Sequence, residues 1–566
     1  MKISERYVAP DRARRLEAAG LHPVLARVFA ARGVEHPSDI RHSLEGLIPP
    51  DSLSGIDRAV QLIIDAIRLQ QAICVVGDYD CDGATASALA VRGLRAMGAR
   101  VDYLVPNRLT HGYGLSPPVV AMALEHPRLG RPDLLITVDN GIASHEGIAA
   151  ANRAELSVLV TDHHLPGETL PPAAAIVNPN QPGCPFPSKH LAGVGVLFYV
   201  LAAVRARLRQ IEPEAAGARL NLSRLLDLVA LGSVADLVKL DENNRRLVAA
   251  GLRTIRSGQG SAGIRALLTE AGRDWREVSS TDLGFVVGPR VNAAGRLADI
   301  TLGITCLLAE DPDEAATLAA ELDRINRERR SIETTMREQA IAFLEEVPPA
   351  RCSVSVHHPE WHEGVVGLIA SRLKTRFARP AFAFASAASD ATMAKGSGRS
   401  IPGIHLRDML DLMARRAPGL IERFGGHAMA AGLSLPIANV PRFGALLEAV
   451  IAETADPALF SESLLTDGEL DPSRVDLPLV ETIDAQVWGQ GFPPPLFRHE
   501  FRVLKQRLVG DQHLKIELES GRRRYEAIAF GRTEPLPERC VLAWRPSINE
   551  YRGLRSLQLV IEAAEG

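Results

Sequence analysis

The sequence predicts an α/β protein of two lobes, each built on its own sheet, joined by a long helix and followed by a small β-barrel. Apolar strand candidates at 73–76, 134–138 and 158–161 alternate with helix-like stretches at 84–97, 117–125 and 144–153, the spacing of βαβ units and a parallel sheet. A charged stretch from 311 to 346, free of glycine and proline after Pro312, suits a helix connecting the lobes. Beyond residue 460, short strand candidates at 501–509, 513–518, 525–530 and 557–561 are closed by Gly and Pro turns, the pattern of a small barrel.

In chain order, residues 1–50 read as a helical preface punctuated by His22-Pro23 and Ile48-Pro49-Pro50. Residues 51–310 hold the first α/β unit, which turns mostly helical after about 195. The connecting helix occupies 311–347. After the Pro348-Pro349 break a second α/β pattern fills 348–457, with strands at 352–357 and 380–385 around a helix at 364–376. The β-rich part is 458–566. A chain of 566 residues exceeds what one hydrophobic core supports, so several domains are expected.

Hydrophobic residues make up 46% and charged residues 23% of the chain, as in ordinary globular proteins. The opening residues lack the apolar core of a signal peptide and no apolar run reaches the length of a membrane span, so a cytoplasmic protein is expected. The six cysteines form no CxxC pair and read as reduced thiols, with Cys81 a small filler. A net charge of −4 does not advertise nucleic-acid binding. Local clusters (Arg324, Arg327, Arg329 and Arg330; Arg372, Lys374, Arg376 and Arg379; Arg522, Arg523 and Arg524) nonetheless permit a phosphate-lined groove.

The chemistry is concentrated where strands end. Gly77-Asp78-Tyr79-Asp80-Cys81-Asp82-Gly83 follows the first strand. On an extended segment residues two apart point the same way, so Asp78, Asp80 and Asp82 would crowd charge onto one side, which is costly without a cation. Alone, the segment reads equally well as an acidic turn. The next two strands, however, run into Asp139-Asn140-Gly141 and Asp162-His163-His164, and functional groups of open α/β sheets gather at the carboxyl ends of the strands. Carboxylates with one or two imidazoles suit Mn²⁺ or Mg²⁺ better than zinc, and two such ions sharing a carboxylate would clamp a phosphate.

These three motifs resemble those of the DHH phosphoesterase family. Pro106-Asn107-Arg108, His111-Gly112-Tyr113-Gly114-Leu115, Ser233-Val234-Ala235-Asp236, Gly288-Pro289-Arg290-Val291-Asn292-Ala293-Ala294-Gly295-Arg296, Gly396-Ser397-Gly398-Arg399-Ser400 and Phe424-Gly425-Gly426-His427 narrow the resemblance to its single-stranded-DNA-specific exonucleases, over essentially the whole chain. One departure is Lys239, where the family pattern has a proline; it touches only the loop after Asp236.

The resemblance implies a DHH catalytic domain, a DHH-associated domain across a cleft and an OB-like barrel. It implies two divalent ions, Mn²⁺ or Mg²⁺, held by Asp80, Asp82, Asp139, His163 and Asp236, with Asp139 bridging. Asp78 is either a ligand or a support behind the ligands. His164 would hydrogen-bond the scissile phosphate, so Asp139, His164 and Asp82 are the catalytic candidates. For the strand end the candidates are Arg108, Arg290, Arg296, Ser397 and Arg399, with His427 and the Gly425-Gly426 turn; for any one arginine a structural salt bridge is the alternative. Tyr113 either stacks on a base or packs its loop.

The implied activity is 5′ to 3′ hydrolysis of single-stranded DNA to 5′-mononucleotides, in recombination and repair. Implied partners are single-stranded DNA with a 5′ end, a single-strand-binding protein and a RecQ-type helicase, with no membrane and a monomer as the default. Competing readings are a DHH phosphodiesterase acting on short oligonucleotides or cyclic dinucleotides, which needs no OB-like barrel, and a non-catalytic replication scaffold, which would have lost metal ligands.

Overall fold

A computed structural model describes residues 2–40, 42–106, 114–344, 351–388, 390–460, 463–510, 512–551 and 553–565. Strand β1 (Lys2–Glu5) precedes the first lobe, whose strands are β2 (Ala72–Gly77), β3 (Arg100–Leu104), β4 (Leu134–Val138), β5 (Ser157–Thr161) and β6 (Ala175–Val177). They form one sheet in the order β3-β2-β4-β5-β6, every neighbouring pair parallel. Every residue of β2 and β4 is buried, because helices cover both faces, and such a strand is almost continuously apolar, Thr137 being the one polar residue of the two. Gly77 lies beside Val138, and Val138 beside Thr161. This register delivers the next residues, Asp78, Asp139 and Asp162, side by side to one rim.

The extended acidic segment expected after β2 is corrected. The strand stops at Gly77, and a helix begins at Cys81 (Cys81–Ala96) rather than at 84. Asp80 is the reason: its carboxylate accepts from the backbone N–H of Asp82 at 2.9 Å and of Gly83 at 3.1 Å, a helix N-cap. Asp82 therefore projects from a helical turn, not from a strand.

Packed around this sheet are the helices Gly193–Ile211, Leu226–Ala235 and Glu242–Arg256, then Gly288–Leu297. The connecting helix spans Pro312–Leu344 over 33 residues, about 50 Å at 1.5 Å per residue.

The second lobe has β7 (Val354–His358), β8 (Ala381–Ala387), β9 (Asp390–Arg399), β10 (Arg423–Gly426) and β11 (Ala430–Pro436), ordered β10-β11-β9-β8-β7. Only β7 and β8 run parallel. The glycines of β9 have a packing cause: a Cβ at Gly396 or Gly398 would strike the rings of Phe384 and Phe382, both in this lobe's core. With the rings pressed on one face of the strand, the alternating Ser397 and Arg399 belong to the other.

Strand β12 (Ser463–Thr466) leads to a closed barrel of β13 (Phe497–Val509), β14 (His513–Ser520), β15 (Arg523–Ala529), β16 (Arg539–Tyr551) and β17 (Leu554–Ala564), ordered β13-β14-β15-β17-β16. The chain start braces it. Strand β1 pairs in parallel with β12, Phe29 stacks on Trp488 and Phe492, and Arg32 forms a 2.7 Å ion pair with Asp467, both side chains 1% exposed. Among the described residues no helix is long and apolar enough to cross a membrane.

Candidate metal centre and flanking cavities

Four loops and helix ends meet at the rim of the first sheet. Asp78 follows β2, Asp80 and Asp82 open the helix Cys81–Ala96, and His163 follows β5. Asp236 caps the C-terminus of Leu226–Ala235. Asp139 follows β4 with a left-handed backbone, φ 62°, a conformation that costs a non-glycine residue energy and is kept where function needs it. Asn140 pins it there, its Nδ2 donating to the carbonyls of Val76 (3.0 Å) and Val138 (2.9 Å).

The side chains converge. His163 Nε2 lies 3.1 Å from Asp139, 3.5 Å from Asp236 and 4.0 Å from Asp82. Ligand atoms within 4.8 Å of one another form three sets: Asp78, Asp80 and Asp139; Asp82, His163 and Asp236; Asp139, His163 and His164. All six metal candidates are thus brought together, and Asp139 belongs to two sets. Asp82 is aimed by the N-terminus of Gly193–Ile211, accepting from Gly193 N–H at 2.6 Å and Val194 N–H at 3.0 Å. A side chain at Gly193 would collide with Asp139.

Without a cation this packing is electrostatically costly. Burial, then the neighbouring carboxylates, push Asp78, Asp139 and Asp236 well above the usual carboxylate range. Burial and Asp80 push Asp82 up to about 7. Burial drives His163 down to about 4, so its ring is neutral and able to ligate. A divalent ion relieves every one of these penalties, and the mixed carboxylate and imidazole donors fit Mn²⁺ or Mg²⁺.

His164 differs. Burial opposes its charge, but its Nδ1 sits 2.7 Å from Asp162 Oδ1, and that bond and charge raise it to about 9. Asp162 is itself buried and also accepts from the N–H groups of Ile142, His163 and His164. The sequence reading passed over Asp162, although it heads its own motif. His427, from the second lobe, faces His164 with ring centroids 6.3 Å apart, and both line a cavity of about 600 Å³.

A second cavity, about 410 Å³, is lined by Arg296, Ser397, Arg399 and Gly425 together with Lys395 and Tyr79. Arg399 donates to Ser397 Oγ at 3.0 Å, and Gly367, in the first turn of the helix Val366–Phe377, abuts both side chains. Gly426 follows at the end of β10 with φ 138°. Tyr79, missed in the sequence, lies between the candidate ligands Asp78 and Asp80 yet lines this cavity. Arg290 is corrected: it is 7% exposed, pairs with Asp323 on the connecting helix at 2.8 Å and donates to the Val286 carbonyl, so it braces helices instead of lining this cavity. Arg108 and Tyr113 lie outside the described residues.

Residues 72–233 match the family model described as DHH family, N-terminal domain, residues 349–453 the DHHA1 domain and residues 466–563 the RecJ OB domain. The chain is 47% identical over 559 residues to the single-stranded-DNA-specific exonuclease RecJ of Escherichia coli (strain K12), covering 96% of each. It is 33% identical over 566 residues to that of Bacillus subtilis (strain 168), covering 97% of this chain and 68% of the relative. Among solved structures it is similar to RecJ from Thermus thermophilus in complex with Mn²⁺, with a TM-score of 0.82 at 29% identity over 100% of this chain and 79% of that one.

Proposed function

The chain belongs to the RecJ family of single-stranded-DNA-specific exonucleases, and from that premise we propose that it hydrolyses single-stranded DNA from the 5′ end, releasing 5′-mononucleotides at the metal centre. In this reading Asp78, Asp80 and Asp139 would hold one divalent ion and Asp82, His163 and Asp236 the other, with Asp139, 3.1 Å from His163, placed to serve both. When bound, two such ions make a water acidic enough to attack in line and neutralise the oxygens around phosphorus.

The protein's own groups do the rest. Asp162 fixes the His164 ring by its Nδ1 and keeps it protonated at neutral pH, so it offers an oriented cation to a non-bridging phosphate oxygen. His427 closes the same cavity from the second lobe. The guanidinium groups of Arg296 and Arg399, with Ser397, suit a terminal phosphate, which planar arginine forks bind best. Tyr79, between Asp78 and Asp80 in the chain, lines that cavity and so joins it to the metal centre.

The observation that carries this reading is the adjacency of an arginine-lined anion cavity to a buried carboxylate cluster that only cations relieve. The barrel would extend the grip on a single strand, with Lys505 and Arg507 lining a barrel cavity in which Lys515 and Arg524 are paired with Glu526 and Glu517. The same reading places the protein in the cytoplasm, acting as a monomer, with a single-strand-binding protein and a RecQ-type helicase supplying the strand. The test is digestion of a 5′-phosphorylated single strand labelled at its 3′ end, with Mn²⁺ or with EDTA, by wild type and Asp139→Ala. Stepwise shortening from the 5′ end by wild type with Mn²⁺ alone supports it. Shortening that persists in EDTA or in Asp139→Ala refutes it.

A further inference from the structure

The arginines of the connecting helix are not alike. Arg324 pairs with Glu321 and Glu328, Arg327 with Asp323, and Arg329 with Glu333. Arg330 and Arg337 have no carboxylate partner among the described residues, and they stand two turns apart, roughly 10 Å along the helix. Both line a cavity of about 440 Å³ between this helix, Gly288–Leu297 and Val366–Phe377. That volume lies in the roughly 300–1,000 Å³ range of small-molecule sites.

Its chemistry is specific. Arg372 and Arg296 add positive charge, while the one lining carboxylate, Glu333, is already taken by Arg329 and by Arg372 Nε at 2.9 Å. At the mouth stands Phe285, a phenylalanine left 72% exposed on a single π-helical turn, Leu283–Val287. Such turns are rare and concentrate at functional sites. Surplus guanidinium charge beside one exposed aromatic face matches an anion that carries a flat ring, a nucleotide: phosphate on the arginines, base on Phe285.

Position selects which nucleotide. Arg296 lines both this cavity and the terminal-phosphate cavity, and the helix Val366–Phe377 serves both, with Gly367 on one side and Leu368 and Arg372 on the other. On the exonuclease reading, each cut leaves a mononucleotide with its phosphate in the terminal-phosphate cavity and the shortened strand filling the way it came. We propose that the cavity of Phe285, Arg330 and Arg337 is an exit site that binds the released nucleoside 5′-monophosphate and clears the terminal-phosphate cavity for the next 5′ end. This inference rests on the proposed activity.

The test uses the full chain and dAMP. Binding of labelled dAMP is measured by equilibrium dialysis, and inhibition by dAMP in the Mn²⁺-dependent digestion, for wild type, the Arg330→Ala/Arg337→Ala double variant and Phe285→Ala. The double variant is expected to bind dAMP at least tenfold more weakly and to resist dAMP inhibition. Phe285→Ala is expected to weaken dAMP but not inorganic phosphate. Both should release the first nucleotide in a single turnover at the wild-type rate. Equal dAMP binding in all three proteins overturns the proposal, and so does a loss seen only as a raised KM for the strand, which would make the patch part of the polymer path. Dialysis does not depend on digestion, so a wild type that leaves the strand intact sinks the exonuclease reading while dialysis still decides the site.

Discussion

Replacing Gly193 by alanine adds one methyl group at the metal centre. Its carbon would lie 2.5 Å from Asp139 Cβ and 2.7 Å from Asp139 Cα, whereas carbons in relaxed contact sit roughly 3.5–4.0 Å apart. Something must yield by about 1 Å. Gly193 cannot retreat alone, because its N–H holds Asp82 at 2.6 Å and its residue opens the helix Gly193–Ile211. The displacement therefore falls on Asp139, on Asp82, or on both. A shift of about 1 Å in catalytic groups costs on the order of 100-fold in rate, and overpacking of this kind costs about 1–3 kcal/mol in stability. The assay is single-turnover release of the first nucleotide as a function of Mn²⁺, with a thermal melt of the same samples. Gly193→Ala should need more Mn²⁺ and turn over about 100-fold more slowly. Gly195→Ala is the control, since its new carbon would meet nothing nearer than Leu191 Cδ2 at 3.4 Å. Wild-type rate and Mn²⁺ dependence in Gly193→Ala, or equal damage in Gly195→Ala, would refute the reasoning.

Asp162→Asn removes the charge that holds His164 near 9, so its pKa drops to the ordinary histidine value or below; activity at pH 8 relative to pH 6 should fall roughly thirtyfold, and a pH–rate profile parallel to wild type would count against the dyad. Metal-free protein should lose stability as pH rises, because carboxylates raised in the folded state favour folding below their ordinary pKa and stop doing so as pH passes the raised values, about 7 for Asp82. Melting in EDTA from pH 5 to 8 tests this: Tm should fall, Mn²⁺ should restore it at pH 8, and a flat profile would be the contrary result. Arg399→Ala should erase the preference for a 5′-phosphate over a 5′-hydroxyl with Tm intact. Arg290→Ala should keep that preference and lose up to about 3 kcal/mol of stability, Arg327 still pairing with Asp323; competition digestion and melting distinguish the two.

The strands that build the site were legible because each is a continuous apolar run ending in a motif of charge. The start of the helix Cys81–Ala96 was not. Three aspartates in alternation look like an extended ligand array, and the capping role of Asp80 depends on where the chain turns, which the residue types alone leave open. Arg290 and Arg296 were indistinguishable in sequence. Six residues apart on one helix, they point about 120° apart around its axis, so one meets Asp323 and the other lines the cavities. Strands β3 and β6 escaped notice, β3 because its buried Asp102 breaks the apolar pattern and β6 because it is three residues long. Strand β1, Lys-Ile-Ser-Glu, carries no local signal at all; its partner is β12, so the register is decided by tertiary packing.

That last pairing has a consequence for how the chain is made. Ser4 bonds to Leu464, 460 residues further on, and Arg32 waits 435 residues for Asp467. At a ribosomal rate of roughly 5–20 residues per second, about half a minute to a minute and a half separates the emergence of β1 from that of its partner. Throughout that interval β1 is an unpaired edge and Arg32 an uncompensated charge, so both lobes emerge before the opening segment can settle. The opening segment is thus seated only after both lobes have emerged, and a fault in that pairing leaves a catalytic lobe already made but without its brace.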